Sequence, residues 1–159
     1  MDRKHAILDY RCSMPSERVD FEELLGRILS NTGAIPFSQL YALSDLSRER
    51  LPAFVEAWEV LDTPDRRRLI HALVDLAEAS FQVNYDAIFR QTMSDPDPEV
   101  RAASIAGLWE NEETPLIGRF ITALRSDPAP QVRAAAATAL GRFVLAGELE
   151  RIDPVIENR

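Results

Sequence analysis

A single cysteine, Cys12, stands in a chain of 159 residues. One thiol excludes an internal disulfide and a thiolate zinc cluster. Lysine is almost missing as well: Lys4 is the only one, against seventeen arginines. Histidine occurs twice, as His5 and His71. No His-Glu-x-x-His pair and no Gly-rich phosphate loop can be found among so few histidines and only six glycines. No stretch approaches the roughly 20 apolar residues that a membrane helix needs. Near the start, Ile7-Leu8 is followed at once by Asp9 and Arg11, so the apolar run of a secretory signal is absent. A cytoplasmic location with no membrane partner is the expectation.

An excess of positive charge is also lacking. Twenty-six acidic residues face 18 basic ones, for a net charge of −8. That balance disfavours an extended phosphate-binding face, so no nucleic-acid partner is expected. Arginine in place of lysine suits ordered carboxylate contacts, because the guanidinium offers a rigid fork of donors. With 46% hydrophobic and 28% charged residues, the chain has the composition of one folded domain.

The organisation is set by three segments: Leu61-Asp62-Thr63-Pro64-Asp65-Arg66-Arg67, Ser94-Asp95-Pro96-Asp97-Pro98-Glu99-Val100-Arg101, and Ser126-Asp127-Pro128-Ala129-Pro130-Gln131-Val132-Arg133. Each of Pro64, Pro98 and Pro130 suits the first turn of a helix, where its missing N–H costs nothing. The Asp-Pro pairs should form turns that end the helix before. After each junction the apolar residues recur at helical spacing: Leu69, Ile70, Leu73, Val74 and Ala77; Val100, Ala103 and Leu108; Val132, Ala135, Ala136, Ala139, Leu140 and Phe143. Before each lies another such helix, marked by Leu51, Phe54, Val55 and Trp58, by Tyr85, Ile88, Phe89 and Thr92, and by Leu116, Ile117, Phe120, Ile121 and Leu124.

The segments Asp95 to Leu108 and Asp127 to Gly141 resemble the HEAT repeat, including its variant named after phycobilisome-linker lyase proteins. The last copy carries the pattern as Val132-Arg133, Ala135-Ala136 and Ala139-Leu140-Gly141. The copy before it keeps Val100-Arg101 and Ala103, but has Ser104, Gly107 and Trp109 where alanines and glycine are expected. The earlier copy has Arg66-Arg67 in place of Val-Arg. The resemblance implies an all-α, right-handed superhelical solenoid of antiparallel hairpins, with about three and a half to four repeats in one domain over 1–159. The expected divisions are a divergent first hairpin at 19–46, repeats at 47–79, 83–109 and 113–147, and a cap or the start of a further helix at 148–159. End repeats have a neighbour on one side only, which suits the departures at either end.

Arg101 and Arg133 occupy one repeat position, close after Asp95 and Asp127. These four residues are expected to form a structural ladder, each arginine bonding a turn aspartate or carbonyl of its own or an adjacent repeat. The resemblance implies the same stitching role. It also implies that the inner helices line a concave surface on which ligands sit. On that side Arg68, His71 and Asp75 follow one another at helical spacing. Ile105 and Trp109, four residues apart, are expected to form an apolar spot beside them. An exposed tryptophan near an arginine has the composition of a protein hot spot. The competing reading is that Trp109 covers the loop Asn111-Glu112-Glu113. His71 and Asp75 lie within reach on one helix but have no third ligand and no nucleophile, so neither metal, cofactor nor catalysis is expected. The run Arg66-Arg67-Arg68 reads as a partly paired cluster near Glu56, Glu59 and Asp62. The functional expectation is a non-catalytic scaffold that binds another protein, through a helix or extended segment, at Arg68, His71, Asp75, Ile105 and Trp109. A nucleic-acid or DNA-repair protein, and an accessory chaperone or lyase subunit for a cofactor-bearing protein, are the alternatives.

Overall fold

The computed structural model of the chain describes residues 20–30 and 35–148. His5, Cys12 and the tail positions Leu149, Ile152, Val155 and Ile156 lie outside the described residues. Eight α-helices follow one another: α1 Phe21–Leu29, α2 Phe37–Leu40, α3 Leu51–Val60, α4 Thr63–Ala79, α5 Asp86–Thr92, α6 Pro98–Gly107, α7 Pro115–Ser126 and α8 Pro130–Glu148. A 3₁₀ turn at Tyr41–Leu43 extends α2. The architecture is an all-helical, HEAT-like solenoid of paired antiparallel helices, about four repeats long, with no strand among the described residues.

The junction residues start the helices by different means. Proline stands in the first turn of α3, α4, α6, α7 and α8. Asp62 caps α4 by accepting the N–H of Asp65 at 2.9 Å. Asp97 caps α6 through the N–H groups of Glu99 and Val100, both at 3.1 Å. Each such cap satisfies donors that the helix itself leaves orphaned. One residue pair earlier, Asp95 accepts the N–H of Asp97 at 2.8 Å, and Asp127 accepts that of Ala129 at 2.9 Å. The two Asp-Pro junctions therefore share one aspartate turn.

Helices α4, α6 and α8 pack side by side as an inner layer, with α5 against α6 and α7 against α8. The core between the layers holds Phe54, Trp58, Ile70, Leu73, Tyr85, Ile88, Phe89, Val100, Leu108, Leu116, Phe120, Val132, Ala136 and Phe143. In the divergent first hairpin, Leu24, Leu40 and Leu43 are fully buried. The Tyr85 hydroxyl donates to the Leu40 carbonyl at 3.0 Å and so ties that hairpin to α5. Burial holds the phenol well above its ordinary pKa, so it stays a donor.

The two departures from alanine in α6 have structural reasons. A Cβ at Gly107 would stand 2.6 Å from the Phe89 ring, so only glycine lets α6 lie this close to α5. Ser104 is fully buried, its hydroxyl donating to the Val100 carbonyl at 2.7 Å and lying 2.7 Å from the Thr92 hydroxyl. The pair satisfies both groups across the helix contact.

Gly107→Ala should therefore cost about 1–3 kcal/mol through overpacking. In a chain of this size that lowers the melting temperature by roughly 3–10 °C. Gly141→Ala is the matched control, because nothing lies within 4 Å of its Cβ position. It should be neutral or slightly stabilising by helix propensity. Equal melting temperatures for the two variants would refute the account of Gly107.

Candidate functional site

The junctions carry most of the ordered polar contacts. Arg101 grips Asp127 of the next repeat with two parallel bonds, Nε to Oδ2 and Nη2 to Oδ1, both 2.8 Å. Its Nη1 donates backward to the carbonyls of Asp95 at 2.9 Å and Pro96 at 3.0 Å. One arginine thus closes its own turn and holds the following one. Arg133 repeats the backward half, with Nη1 3.0 Å from the carbonyls of both Asp127 and Pro128.

The rung before it uses different partners from those the sequence suggested. Arg67 binds Asp97, with Nε to Oδ1 at 3.0 Å and Nη2 to Oδ2 at 2.6 Å, and reaches Glu99 at 3.0 Å. Asp95 instead accepts the Trp58 indole N–H at 2.8 Å and pairs with Arg66 at 3.3 Å. Arg68 pairs with Asp65. The three arginines therefore pair with Asp95, Asp97, Glu99 and Asp65, and not with the Glu56, Glu59 and Asp62 that are nearer in sequence. Asp97 was missed from sequence because its helix-capping role gave no hint of a second partner.

These contacts set the charge state of the junctions. The Arg67 fork, helped by the N–H groups of Val100 and Glu99, holds the Asp97 carboxyl below the usual carboxylate range. The Arg101 fork does the same for Asp127, helped by the Ala129 N–H.

On the outer side of the inner layer, the sequence-expected binding residues are placed as follows. Arg68, His71 and Asp75 are exposed along α4. His71 Nε2 lies 3.1 Å from Glu99 of α6. Trp109 is 39% exposed, just past the end of α6. Ile105 is a correction: at 1% exposure it belongs to the core and forms no open spot with Trp109. The open residue of that helix is Ala106, with Ala102 partly open one turn back. On α8 the corresponding open positions are Ala134, Ala137, Thr138 and Gly141.

The loop after Trp109 is held by polar contacts of its own. Asn111 bonds Asp86 and accepts the Glu113 N–H at 2.8 Å, and Glu113 pairs with Arg90 at 2.5 Å. The Arg90 guanidinium holds the Glu113 carboxyl below its ordinary value. A groove of about 630 Å³, lined by Met93 just past α5 and by Gly118, Arg119 and Thr122 of α7, lies on the other layer. Among the described residues no group of three or more His, Cys, Asp or Glu could hold a metal ion. None of the described helices is long and apolar enough to cross a membrane.

Comparison with known families matches residues 86–158 to the family model described as HEAT repeats. A HEAT-repeat domain therefore covers this part of the chain, α5 to α8 and the segment after them. No curated protein and no solved structure matches the chain.

The junction geometry carries a pH prediction. Because the folded Asp127 carboxyl titrates below its unfolded value of about 4, its stabilisation is present above that value. It is lost as pH falls through the lower folded value. Arg101→Met should cost about 2–3 kcal/mol at neutral pH, since Asp127 then keeps its half-buried charge without a partner. The wild type should lose the Asp127 share of this increment on acidification from pH 5 to pH 2, so the gap between the two melting curves should narrow there, the part owed to the Asp95 and Pro96 carbonyls remaining. A gap between wild type and variant that stays constant over the same range would refute the rung.

Proposed function

We propose that this HEAT-repeat chain is a non-catalytic scaffold that binds another protein on the exposed side of its inner helices. The observation that carries the reading is Trp109. A large aromatic side chain stands 39% exposed beside a helix whose open face is otherwise alanine. The neighbouring loop is closed by Asn111, Glu113, Arg90 and Asp86, so covering that loop does not account for the indole. An indole flanked by small residues makes an anchor with a shallow recess beside it, the shape that receives a helix or an extended segment. Arg68, His71 and Asp75 lie exposed on the adjacent helix α4, with His71 3.1 Å from Glu99 at the start of α6, and Ala106 takes the place on α6 that Ile105 was expected to fill.

The nucleic-acid reading has less support. Arg67 and Arg68 are engaged by Asp97, Glu99 and Asp65, and His71 by Glu99. A face whose cations are neutralised in place offers phosphates little net charge. The accessory-subunit reading rests only on the name of the repeat variant, and the matching family model is that of HEAT repeats in general.

Retention of cellular proteins by the immobilised chain tests the proposal. Trp109→Ala should weaken the retained complex by about 2 kcal/mol, roughly thirtyfold in affinity, with little change in melting temperature. Ala106→Glu should have the same effect from the neighbouring turn. Unchanged retention together with a clear fall in stability would return Trp109 to a packing role and sink the docking face.

A further inference from the structure

We propose that the segment received at the Trp109 face is cationic, with a lysine or arginine side chain laid on the indole between the carboxylates of α4 and those after α6. This partner chemistry rests on the reading of Trp109 as a docking anchor.

Two open stripes lie side by side. On α4 the exposed residues follow one another as Arg68, His71, Asp75 and Glu78. On α6 the open side runs from the partly open Glu99 and Ala102 to the exposed Ala106, and on to Trp109 just past the helix end. Each series advances by three or four residues, so each keeps to one side of its helix. The His71–Glu99 contact at 3.1 Å joins the two stripes. Alternate helices of the antiparallel hairpins run the same way, and α4 packs on α6. The step from His71 to Glu78 equals that from Glu99 to Ala106, about 10 Å along either helix. Glu78 therefore stands level with Ala106, and Trp109 follows within the next turn.

Along these stripes charge is sorted by end. Every basic residue of α4 and α6, from Arg66 to His71 and again Arg101, lies in or before the middle of its helix and is paired with a carboxylate. At the other end Asp75, Glu78, Glu110 and Glu112 are exposed and make no ion pair among the described residues. Glu78 falls in the last turn of α4 and Glu110 follows α6, and neither helix has a basic residue in its last turn. The negative end of a helix favours a cation and not a carboxylate, so helix stability does not explain this placement. Two helix ends and four carboxylates thus set a negative potential around an exposed indole.

A cationic side chain answers each of these features. It meets the negative face of the indole, the unpaired carboxylates on either side, and the helix ends. Its alkyl stem has room along Ala102 and Ala106. An anionic segment would meet basic groups that are already engaged. The partner is then a segment rich in lysine or arginine, with apolar residues between its charges. In such a contact the carboxylates steer encounter and set the salt dependence, while the indole and the alanines hold the complex.

A helical leucine–lysine peptide is the probe, with a leucine–glutamate peptide of equal length for comparison. Trp109 reports on its own surface, because the second tryptophan, Trp58, is buried and bonded to Asp95. The leucine–lysine peptide should shift the Trp109 emission and shield it from acrylamide, saturably and less at high salt. The leucine–glutamate peptide should do neither. Asp75→Asn together with Glu78→Gln should weaken binding about fivefold, with no fall in melting temperature. Glu56→Gln together with Glu59→Gln, the same change in charge at exposed positions of α3, should leave binding unchanged. Equal losses in the two double variants would mean attraction to net charge alone and overturn the proposal. A response of Trp109 to the leucine–glutamate peptide, or to neither peptide, would overturn it too. The docking face is decided separately: if Trp109→Ala still lowers retention of cellular proteins, the face stands and only the charge of its partner is wrong.

Discussion

The carboxylate at each Asp-Pro junction is the point on which the solenoid depends. Its side chain has two tasks: it shapes the turn by accepting an N–H two residues on, and it receives an arginine from the repeat before. Asp127 does both, with the Ala129 N–H and the Arg101 fork. At the preceding junction the tasks are shared between two aspartates. Asp95 takes the turn, the Trp58 indole and Arg66, while Asp97 caps α6 and takes Arg67. A charge this poorly exposed is tolerable only when it is paired and hydrogen-bonded, and here it is both. The predominance of arginine over lysine follows, because a fork can hold a carboxylate with one edge and backbone carbonyls with the other.

Packing between the layers answers the same need for close approach. The junction arginines reach the next repeat only if adjacent helices are near, and small residues at the contact provide that. Gly107 admits the Phe89 ring, and Ala136 and Ala139 are fully buried on α8. Where α6 carries Ser104 instead of alanine, Thr92 of α5 meets it, so the extra hydroxyl is satisfied rather than stranded. Each departure from alanine has its complement on the facing helix.

The helices and junctions were legible in the sequence because proline position and apolar spacing are local signals. Leu69, Ile70, Leu73 and Val74, or Val132, Ala136, Ala139 and Phe143, mark the buried side with no knowledge of neighbours. Ile105 was misplaced because its burial is not local. A stripe argument imagines one partner helix, but α6 has three, touching α4, α5 and α8. Lateral neighbours bury residues that a single hairpin would leave open. The pairings of Arg66 and Arg67 escaped for a similar reason: their partners Asp95 and Asp97, a whole repeat away, are chosen by how repeats stack, which spacing alone does not encode. Trp109 was legible as an aromatic outside the core leucine position, since Leu108 takes that position at 1% exposure.

Burial from three sides has a consequence for where such a chain can interact. An internal inner helix keeps only a narrow strip open, and on α6 that strip is Ala102 and Ala106 before the chain reaches Trp109. The last described inner helix, α8, packs on α6 and α7 among the described residues, and Val144 and Leu145 stand exposed on it. The ladder is unequal in the same direction: Arg67 and Arg101 each hold a carboxylate of the following repeat, whereas Arg133 holds only the carbonyls of its own turn among the described residues. Each forward rung thus joins two repeats, since one guanidinium closes its own turn with one nitrogen and holds the next junction with the other two.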